Sequence, residues 1–221
     1  MNGREFDVVV VGGSAAGITA AITARRHNHD ASILVVRREE QVLIPCGIPY
    51  IFGTVGSPQE NLIPDAVLEK NEIELLLDDV RDVDTEKQVL RTAEGEELTF
   101  RRLVIATGGQ PVQLPLPGAD LENVFSIRKS VPYLENMLSV LEEAEDLVIV
   151  GGGFIGVEFA DECRKRWDMN VSVVEMLPYP LQLAFDEEFC SEAQGLLEDR
   201  GINVLTEAKV EGFLGDGAVS G

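Results

Sequence analysis

Hydrophobic positions along this chain keep two rhythms, and the same change of rhythm occurs twice. Near the N-terminus an unbroken apolar run, Val8-Val9-Val10-Val11, meets a small-residue turn, Gly12-Gly13-Ser14-Ala15-Ala16-Gly17, and apolar positions then recur at helical spacing. A short apolar run bounded by glycine predicts a strand buried on both faces, and the spacing after it predicts a helix. The expected elements are a strand over 7–11, a helix over 16–26 and a strand over 32–37. Ala16, Thr19, Ala20, Thr23 and Ala24 would let that helix lie close against a parallel sheet. Downstream, Leu147-Val148-Ile149-Val150 runs into Gly151-Gly152-Gly153-Phe154-Ile155-Gly156, and a strand over 147–150, a helix over 154–167 and a strand over 171–175 repeat the pattern.

Between the repeats a loop carries Cys46, Pro49 and Gly53, followed by a helix near 66–70 and a strand over 73–77. A hairpin then pairs 88–92 with 97–100 across Glu94-Gly95 and leads into Leu103-Val104-Ile105-Ala106-Thr107-Gly108-Gly109. Pro111, Pro115, Pro117 and Gly118 mark a linker. After the second repeat, Asp186 suits the N-cap of a helix ending before Gly201, and a strand follows over 203–206. The glycine-rich tail over 210–221 begins another hairpin.

Composition narrows the classes available. The 221 residues suffice for one large or two small domains. Hydrophobic residues make up 45% of the chain, enough for a core, yet no stretch approaches the ~18 unbroken apolar residues of a membrane span. From Met1 the chain passes Arg4, Glu5 and Asp7 directly into the first strand without a signal peptide's apolar run, so a cytoplasmic protein is expected. Acids number 39 against 18 bases, and the net charge of −21 repels nucleic acid and anionic lipid. These acids are scattered through periodic segments, which fits a solvated surface rather than a disordered tail. An anionic substrate would therefore need a locally positive site.

Both glycine turns suit the same chemistry. Small residues let the backbone approach a pyrophosphate, whose charge sits on N–H groups at a helix N-terminus. The second turn has full glycine spacing at Gly151, Gly153 and Gly156, and Glu175 lies 19 residues past Gly156. A carboxylate there accepts hydrogen bonds from ribose hydroxyls and repels a 2′-phosphate, which favours NADH over NADPH. The first turn departs from the pattern, with Ser14 in place of the middle glycine and Val35-Val36-Arg37-Arg38 where an acid is expected. Arg37 can only donate, so it could lie over an adenine or pair with a phosphate, with Glu39 or Glu40 turning to the ribose. The rival reading makes this an NADPH site, with Arg37 and Arg38 on the 2′-phosphate.

Cys46 is the candidate reactive centre. Pro49 is tolerated only in a first helical turn, which puts Cys46 at or just before a helix N-terminus, where a thiol becomes a better nucleophile. The alternative is a small buried hydrophobe. Ile155, Phe159 and Cys163 share one helical stripe, as do Phe189, Cys190, Ala193 and Leu197, so Cys163 and Cys190 are expected in the core. Three widely separated cysteines give no disulfide framework, and His27 and His29 are expected in solvent, so no metal site is expected.

Together these residues resemble the pyridine nucleotide–disulfide oxidoreductases, flavoproteins with FAD on an N-terminal unit and NAD(P)H on a second. The resemblance covers essentially the whole chain. Ala106-Thr107-Gly108 matches the family's short sequence beside FAD, and the turn from Gly151 to Gly156 with Glu158 matches its NADH turn. It implies an α/β fold of two Rossmann-like FAD/NAD(P)-binding units, each of three layers with a β-hairpin or meander crossover. The FAD-binding domain would cover 1–112 and the NAD(H)-binding domain 113–221. Cofactor contacts are implied at Gly12 to Gly17, Arg37, Val80, Ala106 to Gly108, Gly151 to Gly156 including Phe154 and Ile155, Glu158 and Glu175. Glu158 would contact the nicotinamide amide or sit near the flavin.

The cysteine count selects a branch. Two-cysteine members carry C-x4-C, whereas Gln41 and Ile51 stand five residues either side of Cys46. A single cysteine in Cys46-Gly47-Ile48-Pro49-Tyr50 is similar to the branch of coenzyme A disulfide reductases, NADH oxidases, NADH peroxidases and persulfide reductases. The peroxidases and oxidases usually place a histidine where this chain has Ala15, and its absence shifts weight toward a disulfide or persulfide substrate. The family's second FAD stretch and its dimerisation domain would follow Gly221, so the chain reads as a fragment of a homodimeric parent. The implied activity passes hydride from NADH through FAD to Cys46 and on to a small disulfide such as coenzyme A disulfide. The alternatives are an NADH oxidase using oxygen, a thiol-independent reductase of ferredoxin or rubredoxin type, and a non-catalytic dinucleotide-binding fragment.

Overall fold

Val9 and Val11 point to one face of their strand and Val10 to the other, and all three are buried, which is why the run is unbroken rather than alternating. The computed structural model describes residues 4–221; Met1, where the first expected domain begins, lies outside the described residues. Two units are present. The first comprises the chain up to Pro45 together with Leu62–Gln110, and the second Cys46–Asn61 together with Pro111–Gly221. The loop carrying Cys46 therefore packs with the second unit, although the sequence places it within the first domain.

The first unit is built on strands β1 (Arg4–Val11), β2 (Ile33–Arg37), β3 (Glu74–Leu77), β4 (Val80–Asp84), β5 (Val89–Thr92) and β6 (Glu97–Ile105), with helix α1 (Ala15–His27) crossing from β1 to β2. They form one sheet in the order β3-β2-β1-β6-β5-β4, parallel from β3 to β6 and antiparallel through β5 and β4. One face is covered where Val10, Ile33 and Val35 meet Ile18 and Ala21 of α1 and Leu68. On the other, Val9, Val11, Leu34 and Val36 pack with Leu90, Leu98 and Phe100 of the meander. Val80, expected at the cofactor, packs half-buried against this second cluster.

In the second unit β7 (Asp146–Val150), β8 (Asn170–Val174) and β9 (Ile202–Leu205) form a parallel sheet in that order. Helix α5 (Phe154–Arg166) links β7 to β8, and α6 (Glu187–Asp199) precedes β9. The tail hairpin, β10 (Gly215–Asp216) with β11 (Ala218–Val219), is a separate antiparallel sheet. Helix α4 (Val131–Glu143), with Pro132 in its first turn, buries Leu134, Met137, Leu138 and Leu141 along one side. Its i, i+3, i+4, i+7 spacing is a plain helical signal.

Two stripe members fall outside the core. Ile155 is 60% exposed and Phe189 62%, while Phe159, Cys163, Cys190 and Leu197 are buried. Each step of four residues turns the helix about 40° past a full circle, so Ile155 and Cys163 lie roughly 80° apart. Phe189 and Cys190 are adjacent, about 100° apart, and the cysteine takes the inward place.

Candidate functional site

The two glycine turns share one backbone geometry. Gly12 leaves β1 with φ +108° and Gly151 leaves β7 with φ +103°, conformations that side chains rarely adopt. A Cβ on Gly17 would lie 1.9 Å from the Gly12 carbonyl oxygen, and one on Gly156 would lie 2.0 Å from that of Gly151, so each helix starts in direct contact with its turn. Gly12 N–H donates to Val36 O and Gly151 N–H to Val174 O, both at 2.8 Å, which ties each turn to the neighbouring strand.

At the first turn, Ala106 N–H donates to Val11 O at 2.8 Å, and its carbonyl closes on Gly12 so tightly that a Cβ there would sit 2.2 Å away. Ala106-Thr107-Gly108 thus leaves β6 beside the turn, and Gly108 has φ +70°. Because α1 connects β1 to β2 on one side while β6 pairs on the other, the crevice lies where strand order reverses, the place open α/β sheets bind ligands. Ser14 is the N-cap of α1 but makes no side-chain cap bond, and its hydroxyl donates to Leu43 O at 3.4 Å. The first-turn N–H groups of a 13-residue helix are therefore left for an anion. This cradle of glycines and open N–H groups fits a pyrophosphate.

At the second turn, Glu175 is 9% exposed and its two oxygens are committed to the backbone. Gly152 N–H donates to Oε2 at 2.7 Å and Leu177 N–H to Oε1 at 2.9 Å. The carboxylate thereby fixes the turn while keeping lone pairs for ribose hydroxyls. Nothing lies within 4 Å of a Cβ built on Gly153, so space is open at the middle glycine. Phe154 is 54% exposed and stacks edge-on with Phe185, ring centroids 5.7 Å apart, while Glu158 is half-buried in the next turn of α5.

The residue after Val36 stands where the residue after Val174 stands, because both carbonyls receive the glycine N–H. That makes Arg37 the positional counterpart of Glu175. Arg37 is 3% exposed, and its Cδ fills the place of a Gly13 Cβ at 2.5 Å. Its Nη1 lies 2.7 Å from Asp65 Oδ1 and its Nη2 donates to Oδ2 at 2.8 Å. Nε donates to Glu39 O at 2.8 Å and Nη2 also to Glu40 O at 3.1 Å. A guanidinium so enclosed is not presented to a 2′-phosphate. Arg38 is exposed and donates to Glu39 Oε1 at 2.9 Å.

Cys46 lies in a short turn, Pro45–Gly47, directly before helix α2 (Ile48–Ile51), and is exposed. Pro49 sits in the first turn of α2 as its chemistry requires. Gly47 is packed on buried Asn61, whose Oδ1 would lie 2.1 Å from a Cβ at 47. One side of α5 holds the segment. Phe159 stacks on Phe52 at 4.9 Å, Glu162 accepts from Thr54, and Arg166 donates to Gly56 O at 3.0 Å. The helix that begins at the second glycine turn thus carries the cysteine segment on its flank, a relation with no signal in local sequence. Cys163 and Cys190 are both buried, and burial pushes the Cys163 thiol up to about 12. His27 and His29 are exposed. Among the described residues no three metal-ligating side chains converge, and no helix is long and apolar enough to cross a membrane.

Comparison with known proteins gives a consistent picture. An NADH oxidase of Methanocaldococcus jannaschii is 31% identical over 94% of this chain and 48% of its own length. An NAD(P)H sulfur oxidoreductase (CoA-dependent) of Pyrococcus abyssi is 37% identical over 82% of this chain and 42% of its own. The chain thus spans about half the length of these curated relatives. The solved NAD-dependent persulfide reductase of A. fulgidus superposes with a TM-score of 0.84 at 30% identity, covering 96% of this chain and 41% of that one. The family profile described as pyridine nucleotide-disulphide oxidoreductase matches residues 6–220.

Proposed function

The chain belongs to the pyridine nucleotide-disulphide oxidoreductase family, and from that premise we propose that it is the nucleotide-binding half of an NADH-dependent, flavin-linked reductase of small disulfides or persulfides. The observation that carries this reading is the pairing of two glycine turns of one geometry with a single exposed cysteine, the other two being buried. Gly12, Gly13, Ser14 and Gly17 with Ala106-Thr107-Gly108 would hold FAD, and the turn from Gly151 to Gly156 with Glu175 would hold NADH. Bound FAD would supply two-electron chemistry between a nicotinamide and a sulfur.

The residues' own tasks follow. N–H groups at the starts of α1 and α5 take pyrophosphate charge, and Glu175 orders the second turn and disfavours a 2′-phosphate. Cys46, as thiolate, attacks one sulfur of R–S–S–R′, forming Cys46–S–S–R and releasing R′–S⁻. Two electrons from NADH then cleave the mixed disulfide, so the net reaction consumes NADH, a proton and one disulfide and yields NAD⁺ and two thiols. Similarity to a CoA-dependent sulfur oxidoreductase and a persulfide reductase supports this substrate class. The parent would act as a homodimer in the cytoplasm.

The second reading, electron delivery to oxygen, draws on similarity to an NADH oxidase. Ala15 disfavours it, because alanine offers the first turn no proton donor. Steady-state assays separate the two. NADH consumption dependent on coenzyme A disulfide and lost in Cys46→Ser is expected. Undiminished oxygen-dependent NADH consumption in Cys46→Ser would reject the thiol mechanism.

A further inference from the structure

The first turn lacks an acid at its strand end, yet a carboxylate is held in reach of that place. Arg37 occupies the position of Glu175, and its side chain is 1% exposed, laid along Gly13 with its guanidinium turned to Asp65. Nη2 donates to Asp65 Oδ2 at 2.8 Å, while Nη1 stands 2.7 Å from Oδ1 as an ion-pair contact without a hydrogen bond of its own, so one charge-assisted bond and one close charge contact hold the carboxylate. Asp65 arrives from a separate segment, just before helix α3 (Ala66–Glu69), and its side chain remains 40% exposed. The positive charge is thus enclosed, while the carboxylate that neutralises it reaches solvent. An ionised carboxyl has about four acceptor positions, so each Asp65 oxygen keeps one beyond its arginine contact.

We propose that Asp65, pinned by Arg37, is the ribose-binding carboxylate of the first nucleotide site, accepting hydrogen bonds from the adenosine 2′- and 3′-hydroxyls. This rests on the dinucleotide reading of the first turn. Glu39 is a weaker candidate because Arg38 holds its carboxylate. Glu40 is exposed and contributes only its carbonyl, to Arg37. Arginine at the strand end is then a support for an acid supplied from elsewhere, and not a phosphate ligand.

The test compares FAD with its 2′,3′-dideoxyadenosine analogue by flavin fluorescence, with NAD⁺ saturating the second turn. Wild type should bind FAD about tenfold more tightly than the analogue, as loss of charge-assisted hydrogen bonds dictates. Asp65→Asn should bind the two almost equally, while Glu39→Gln and Glu40→Gln keep the wild-type preference. Because Asp65→Asn strands a buried guanidinium, the double variant Arg37→Glu with Asp65→Asn moves the carboxylate to the strand end and should restore the preference. A preference that survives Asp65→Asn, or passes to Glu39 or Glu40, overturns the assignment while leaving the flavin reading intact. No FAD binding at all removes both.

Discussion

Thr54 donates its backbone N–H at 2.6 Å and its hydroxyl at 2.7 Å to the same carboxylate oxygen of Glu162, across 108 residues of sequence. The other oxygen takes Lys165 Nζ at 2.8 Å, and Glu162 is only 2% exposed. A buried acid on the flank of α5 is thereby satisfied on both sides, and it secures the segment that begins at Cys46. Gly53 is part of the fit, since a Cβ there would meet Glu162 at 2.4 Å.

Glu162→Gln should lower stability at neutral pH by on the order of 2 kcal/mol, the scale of a lost charged hydrogen bond. Burial raises the Glu162 pKa, but hydrogen bonds from Lys165 and Thr54 prevail and hold it below its ordinary 4.5. A depressed carboxyl pKa stabilises the fold above the unfolded value, and that contribution fades as pH falls through the folded value. Thermal melts of wild type and variant should therefore differ at pH 7 and converge as the pH drops below 4.5. A gap that stays constant into acid would refute the ionic clamp.

Thiol accessibility gives an independent check. Cys46 is exposed, whereas Cys163 and Cys190 are buried and the Cys163 thiol sits at about 12. An aromatic disulfide reagent should release one equivalent of chromophore from native protein and three from protein in guanidinium. Cys46→Ser should release none when native. More than one equivalent from the native wild type would contradict the buried placement of the other two.

Alanine at the middle and last glycines of the second turn should separate folding from binding. Gly156→Ala forces a Cβ to 2.0 Å from a backbone oxygen, and overpacking of this kind costs about 1–3 kcal/mol. Gly153→Ala meets no protein atom within 4 Å, so its melting temperature should stay near wild type while NADH affinity falls. Calorimetry with NADH and thermal melts together decide this. Equal NADH affinity in Gly153→Ala would mean that the open space at the turn is not the pyrophosphate path.

Glu175→Gln should weaken NADH binding and narrow its advantage over NADPH. Glutamine can keep one of the two backbone contacts made to Gly152 and Leu177 but loses the charge that repels a 2′-phosphate. A loss of about tenfold for NADH with little loss for NADPH is expected, equivalent to roughly 1.4 kcal/mol. Unchanged selectivity between the two cofactors would place the discriminating group elsewhere.

Much of this was legible in sequence, and the boundary is a physical one. Strands β1 and β7 end as apolar runs closed by glycine, and helices α1 and α5 follow at fixed spacing, so local pattern alone locates both turns. Helix α4 carried a readable stripe and a proline at its start, and attention to Leu134, Met137, Leu138 and Leu141 would have found it. Strand β4, with Arg81, Asp82 and Asp84 among its five residues, has no strand pattern; it pairs only because β5 lies beside it. The site was incomplete for a related reason. Arg37 with Asp65 and Thr54 with Glu162 are contacts between distant segments, and no periodicity within either segment announces them.

The central claim is that electrons from NADH end on the sulfur of Cys46, and intact-mass spectrometry tests it most directly. Protein exposed to coenzyme A disulfide and then desalted should carry one coenzyme A adduct, on Cys46, which disappears when NADH and FAD are both present and persists when either is omitted. An adduct that forms on Cys46 and persists in the presence of both cofactors would contradict the account.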